Sequence, residues 1–220
     1  MTSRTQDRSP PPVLYDPDCT ACPRLAQFLA ESRHRFPSYF CRPVPPFGDE
    51  RPWLLIAGLA PGLHGANRTG RPFTGDFAGI LLYETLFALG LSNQPNGNSP
   101  DDGLVLKGAR ITNSVKCVPP ENKPDLSEIR RCNSFIAAEI AALPSIKVIL
   151  ALGRIAHDAV LIALGKRPGA YRFGHAAEHC VAGVQLIDSY HCSRYNTQTR
   201  RLTPQMFRNV MSRAVELGHI

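Results

Sequence analysis

Four short apolar runs, Trp53–Ala57, Arg110–Thr112, Lys147–Leu152 and Val184–Ile187, alternate along the chain with helical periodicities. The helical stretches fall at about Phe77–Leu89, Leu126–Leu143 and Ile155–Leu164, with a last one at Pro204–Leu217. Strand-length runs separated by helix-length patterns are the mark of an α/β sandwich built on a mainly parallel sheet, because each crossover helix returns the chain to start the next strand in the same direction. Local signals agree with this. Thr203-Pro204 supplies an N-cap and a first-turn proline for the last helix, Asp125 can cap the helix at 126, and Pro23 can open a helix through Leu25, Phe28 and Leu29. Five prolines between Pro37 and Pro52 exclude regular structure there. A chain of 220 residues with 43% hydrophobic content is expected to make one compact domain over residues 13–220.

The first dozen residues are rich in Ser, Arg and Pro and are expected to be a disordered tail. They contain no apolar signal segment, and no stretch reaches the roughly 18 apolar residues of a membrane span, so a cytoplasmic protein with no membrane partner is expected. Lys and Arg exceed Asp and Glu by 25 to 18, a net charge of +7. Such a balance draws a protein to polyanions by counterion release, and nucleic acid is the first partner it suggests.

In an open α/β sheet, ligands bind beyond the carboxyl ends of the strands. Three of the four runs lead directly into unusual polar sequence: Gly58-Leu59-Ala60-Pro61-Gly62 after the first, Asn113 after the second, and Asp188 to Asn196 after the last. The segment 58–76 holds five glycines and two prolines, a composition that lets backbone N–H groups approach a ligand closely. It lacks the Gly-Lys-Ser/Thr of a phosphate-binding loop and the spacing of a dinucleotide fingerprint, which disfavours a nucleotide cofactor. Phe73 within it is either a stacking face for a planar base or a core aromatic under a loop. Asn113 carries both a donor and an acceptor, as reading a base edge requires, although such an Asn also caps turns. His191 can donate to developing negative charge or serve structurally. Downstream, Arg194, Arg200 and Arg201 make a basic segment suited to phosphate contacts.

Seven cysteines without a secretory signal argue for free thiols rather than disulfides. Cys19 and Cys22 form a C-x2-C pair at a helix entrance, and Cys117 and Cys132 form a second pair spaced across the loop Val118–Leu126 to the following helix. Four thiolates suit zinc or an iron–sulfur centre; four unrelated buried thiols are the plain alternative. Cys41, Cys180 and Cys192 lack partner spacing and read as small hydrophobes. A zinc deaminase is set aside, since its H-x-E partner is missing.

Taken together, GLAPG at 58–62, GANRTGRPFTGD at 65–76, TNSVKC at 112–117, HCSRYN at 191–196 and the four cysteines resemble the uracil-DNA glycosylase superfamily, specifically its family-5 branch, from about Cys19 to Leu217. The resemblance implies a central four-stranded parallel sheet between helices, and hydrolysis of the bond joining uracil, or other deaminated bases such as hypoxanthine, to deoxyribose in DNA, by a monomer. It implies a structural 4Fe–4S cluster on Cys19, Cys22, Cys117 and Cys132. It implies a base pocket of Gly58, Ala60, Gly62, Phe73, Asn113 and His191, with Phe73 stacking on the flipped base, Asn113 on its edge and His191 facing O2, and DNA contacts by Ser193, Arg194, Asn196 and Arg200. Many relatives place a carboxylate or amide inside the first motif to position the attacking water, whereas GLAPG offers no such side chain. Asp76, the nearest carboxylate in the same loop, is the expected substitute. No lysine stands in Gly58–Gly62, at Asn113 or in Asp188–Asn196, so a Schiff-base route is not suggested. A damaged-base reader without catalysis, and a metal-containing small-molecule hydrolase, are the competing expectations.

Overall fold

The structure is a computed structural model that describes residues 14–219, so the tail expected over residues 1–12 lies outside the described residues. Along the chain run α1 (Pro23–Arg35), β1 (Phe47–Gly48), β2 (Leu54–Gly58), α2 (Ala66–Thr69), α3 (Phe77–Ala88), β3 (Ala109–Asn113), α4 (Leu126–Ala142), β4 (Val148–Leu152), α5 (Arg154–Ala163), β5 (Glu178–Val181), β6 (Val184–Ser189), α6 (Arg194–Gln198) and α7 (Pro204–Gly218). The sheet order is β1-β3-β2-β4-β6-β5. Its four central strands, β3, β2, β4 and β6, are mutually parallel and correspond to the four apolar runs of the sequence.

The expected four-stranded sheet is widened to six by an antiparallel strand at each edge. Neither addition carries a strong strand signal. β1 is two residues long and sits in the proline-rich connection, while β5 is short and mostly exposed or half-buried. The β5–β6 hairpin turns at Ala182 and Gly183, both at positive φ (50° and 86°). Two left-handed residues match the right-handed twist of a hairpin, but Ala is a poor advertisement for that conformation.

Both sheet faces are covered, and the residues of β2 divide between them with period two. Leu54 and Ile56 join Ile111, Leu150, Leu82 and Phe207 in the core under α3 and α7, while Leu55 and Ala57 join Ile149, Leu186 and Val160 in the core under α5. A third cluster packs Leu25 and Leu29 of α1 against Ile129 and Ile136 of α4. The Thr203 hydroxyl caps α7 by accepting from the Met206 N–H (3.2 Å), and the Glu128 carboxylate accepts from the Asp125 N–H (2.7 Å) at the start of α4. From β2 the chain moves to β3 on one side and then to β4 on the other. This reversal opens a crevice at the carboxyl ends of the parallel strands, the ends that carry Gly58, Asn113 and Ser189.

Candidate active site

A cavity of about 400 Å³ occupies that crevice, lined among others by Ala60, Gly62, Phe73, Asp76, Asn113 and His191. Gly58 and Asn113 are register partners at the ends of β2 and β3. The Gly58 carbonyl accepts from both the N–H (2.9 Å) and the hydroxyl (2.8 Å) of Ser114, which holds Asn113 at the strand end. Gly58 has no room for a side chain: a Cβ there would stand 2.6 Å from the Asn113 Oδ1 and 2.9 Å from the Phe73 Cζ. The Asn113 amide makes no hydrogen bond to another side chain among the described residues. Phe73 is 6% exposed and holds the left-handed φ of 57°, and its ring lies roughly parallel to the His191 imidazole, 6.0 Å away. Phe73 is therefore both core and cavity wall.

Asp76 precedes α3, and its carboxylate is folded back into a niche made by two glycines. A Cβ would come within 2.5 Å of its Oδ1 at Gly62 and within 1.8 Å at Gly65. Its Oδ2 accepts from the Ala66 N–H at 3.1 Å. Burial pushes the carboxyl above the ordinary carboxylate range, opposed by that N–H and by the Arg68 guanidinium. His191 is pushed down to about 4 by burial, so its imidazole is neutral at physiological pH. The pocket thus sets an ionisable carboxylate against a neutral imidazole.

The rim is formed by the loop after β6 and by α6. The Ser193 hydroxyl accepts from the Asn196 N–H (3.4 Å), and the Asn196 amide donates to the His191 carbonyl (2.8 Å), so both polar groups brace the turn that carries His191. The Arg194 guanidinium lies over the Phe77 ring at 5.0 Å, Tyr195 is 70% exposed, and Arg200 and Arg201 are exposed. Not every basic residue is free for a polyanion: Arg71 is buried and makes a bidentate pair with Asp102 at 2.8 Å on both branches.

Cys19, Cys22, Cys117 and Cys132 line a second cavity of about 220 Å³ together with Leu25, Pro43 and Val115. The Lys116 N–H donates to the Cys132 Sγ at 3.3 Å. No three of these thiols bring their sulfurs within 4.8 Å of one another. Burial pushes the Cys132 thiol up to about 11 and raises Cys117 further. Lys116 also lines this cavity, and its buried ammonium bonds the Thr112 hydroxyl and lies 3.7 Å from the Glu139 carboxylate.

Residues 45–214 match the family described as the uracil DNA glycosylase superfamily. The chain is 46% identical over 206 residues to a type-5 uracil-DNA glycosylase of Thermus thermophilus, covering 91% of this chain and 94% of the relative. A type-5 uracil-DNA glycosylase of Pyrobaculum aerophilum is 41% identical over 90% of this chain and 88% of its own length. The chain belongs to the uracil-DNA glycosylase superfamily. A type-4 uracil-DNA glycosylase of Pyrobaculum aerophilum is also similar, at 36% identity over 67% of this chain and 70% of the relative.

For this glycosylase-superfamily chain, Ala60, Gly62, Phe73, Asp76, Asn113 and His191 all reach the one cavity, with Gly58 packed directly behind its wall. Ser193 and Arg194 also line it, whereas Asn196 is spent on the His191 carbonyl and Arg200 lies outside. Five wall residues escape the sequence reading: Leu59, Ala66, Phe77, Ala78 and Asn122. Asn122 arrives from the loop between β3 and α4 at a φ of 57°, and only its position after the left-handed Glu121 distinguishes it from an ordinary loop Asn. Cys41 and Cys192 are buried as expected of small hydrophobes, but Cys180 is exposed on the edge strand β5, where the sheet has no neighbour to cover it. No helix among the described residues is long and apolar enough to cross a membrane.

Proposed function

We infer that this chain is a DNA repair hydrolase that cleaves the N-glycosidic bond of uracil in DNA. The observation that carries the reading is the meeting of Phe73, Asn113, Asp76 and His191, drawn from separate segments of the chain, in one cavity. The target base must leave the duplex first, at a cost of a few kcal/mol that is lower for a mispaired base, which favours U·G over U·A. Phe73 then offers its ring to the base and Asn113 its free amide to the base edge. The bond to the sugar breaks with positive charge gathering on the sugar and negative charge on the base. Neutral His191 donates a hydrogen bond toward O2 of the departing anion, and the Asp76 carboxylate orients the water that adds to the sugar carbon and stabilises the charge there.

No lysine lines the cavity among the described residues, so water is the nucleophile and an intact abasic site is the product. Small side chains at Ala60, Gly62 and Ala66 leave breadth for other deaminated bases such as hypoxanthine. Arg194 and Arg200 contact backbone phosphates beside the cavity. The site is assembled from one chain, which supports action as a monomer, and a cytoplasmic location is proposed with it. Cys19, Cys22, Cys117 and Cys132 are proposed to hold a 4Fe–4S cluster. No three of their sulfurs come within 4.8 Å of one another, whereas four 2.3 Å bonds to a single zinc ion would hold all of them roughly 3.8 Å apart, and the Lys116 N–H to sulfur bond is of the kind that tunes such centres. When bound, the cluster supplies no redox step but ties α1 to α4 and to the segment that follows Asn113.

Uracil-containing duplex incubated with the protein, with free uracil measured and strands resolved before and after alkali, tests the reading. Uracil release with breaks only after alkali is expected. Binding without release would make the protein a lesion reader, and breaks without alkali would give it a lyase mechanism.

A further inference from the structure

On the far side of β6 from the active-site cavity, His157 of α5, His179 of β5 and Asp188 of β6 converge, with one ligand atom from each lying within 4.8 Å of the other two. None of the three lines the active-site cavity or the cysteine cavity. The side chains of His157 and Asp188 are fully buried, and that of His179 is 18% exposed. We propose that these three residues bind one divalent transition-metal ion of the zinc class.

The argument starts from hydrogen-bond direction. The His157 Nε2 lies 3.1 Å from the Tyr171 carbonyl, which can only accept, so Nε2 carries the proton. In the neutral ring the lone pair of Nδ1 then points at the Asp188 Oδ1, 2.8 Å away. Two acceptors so close need a shared cation. A proton on His157 satisfies that pair alone and leaves a third group unexplained: the His179 Nε2 is buried, has no hydrogen-bond partner among the described residues, and faces the Asp188 Oδ2 at 3.8 Å. A metal ion satisfies all three at once. The donation of the His157 Nε2–H to a backbone carbonyl is the usual second contact of a metal-binding imidazole, and the Gly174 N–H (3.4 Å) gives the Asp188 Oδ2 a comparable support. Two imidazoles and one carboxylate select zinc-like ions over magnesium or calcium, which prefer oxygen. The partly exposed His179 marks the side from which an ion would enter. The ion would join α5 to the β5–β6 hairpin, three residues before His191 in the chain.

The full-length protein, purified with whatever its cysteines hold, is dialysed against Co2+ and the bound cobalt measured. Cobalt-edge X-ray absorption, which ignores any iron, then reads the ligands in the unmodified protein. One cobalt per chain with a nitrogen and oxygen shell that includes imidazole is expected, displaced by Zn2+. His179→Gln, which leaves the His157–Asp188 pair intact, should weaken cobalt binding by about tenfold or more while the circular dichroism spectrum stays unchanged. Absence of bound cobalt, a sulfur shell, or unchanged affinity in His179→Gln would each overturn the site, leaving a protonated histidine paired with Asp188.

Discussion

Replacing Asp76 by Asn changes the charge of the candidate active site while keeping its shape. The side chain sits in a niche bounded by Gly62 and Gly65 and accepts one hydrogen bond from the Ala66 N–H, an interaction that the Asn carbonyl oxygen can also make. What is lost is the anion proposed to orient water and to face the developing positive charge. Positioned proton acceptors are worth about 10²–10⁴ in rate, or about 3–5 kcal/mol at 1.36 kcal/mol per tenfold. Stability should move the other way. Burial raises the carboxyl of Asp76 above its ordinary value. A native group with a raised pKa contributes stability at low pH that is lost as pH rises through that pKa, so the ionised native enzyme at pH 7 carries a cost that Asn removes. The melting temperature of Asp76→Asn at pH 7 should therefore equal or exceed that of wild type, each kcal/mol recovered being worth about 2–4 °C in a chain of this size. Single-turnover uracil release with enzyme in excess, beside thermal melts at pH 7 and pH 5, gives both readings. A rate within about threefold of wild type would refute the role of Asp76. A slow variant that also melts lower would show that the niche had collapsed, and that the loss says nothing about charge.

His191→Ala should slow single-turnover release by about 10²–10³, and because the imidazole is held neutral down to about pH 4 by burial, the wild-type rate should show no inflection from it between pH 5 and 8. The acid limb of the pH–rate profile should instead report Asp76, lie above the ordinary carboxylate range, and vanish in Asp76→Asn; a limb that persists there reassigns it. Gly65→Ala puts a methyl 1.8 Å from the Asp76 Oδ1, so the carboxylate must leave its niche, and activity should fall as far as in Asp76→Asn in a protein that still folds. Asp102→Ala strands the buried Arg71 guanidinium and should cost about 3–5 kcal/mol in urea unfolding. Arg71 holds the Asp102 carboxyl well below the usual range, so that stabilisation is present at neutral pH and should fade only under strong acid. Replacing Arg194 and Arg200 together by Ala should lower the log–log salt slope of duplex binding by up to about 2; an unchanged slope removes both from the DNA face.

Much of the framework is written in local pattern. The four apolar runs became β2, β3, β4 and β6, and Pro23, Asp125 and Thr203-Pro204 mark the starts of α1, α4 and α7 within a residue. The edge strands were not legible, because two residues of β1 and a half-exposed β5 have too little apolar content to show a period. Motif loops identified most cavity residues, since runs of Gly and Pro after buried strands are visible without knowing where the loops go. The fate of individual polar groups was less visible. Asn196 reads as a DNA contact but braces the His191 carbonyl, and Arg71 adds to the positive charge of the sequence but is neutralised by Asp102.

Hydrophobic periodicity, caps and glycine loops act over a few neighbours, so the class of fold, the strand ends that carry the candidate site and the residue types available there are already present in the linear order of the chain. Which groups share a space, and in what protonation state, depends on how distant segments pack. Asp76 finds its niche between glycines eleven and fourteen residues upstream, His191 loses its proton affinity to burial, and His157 meets residues 22 and 31 positions farther along the chain. Desolvation and convergence are properties of distances between packed segments, and no local pattern encodes them.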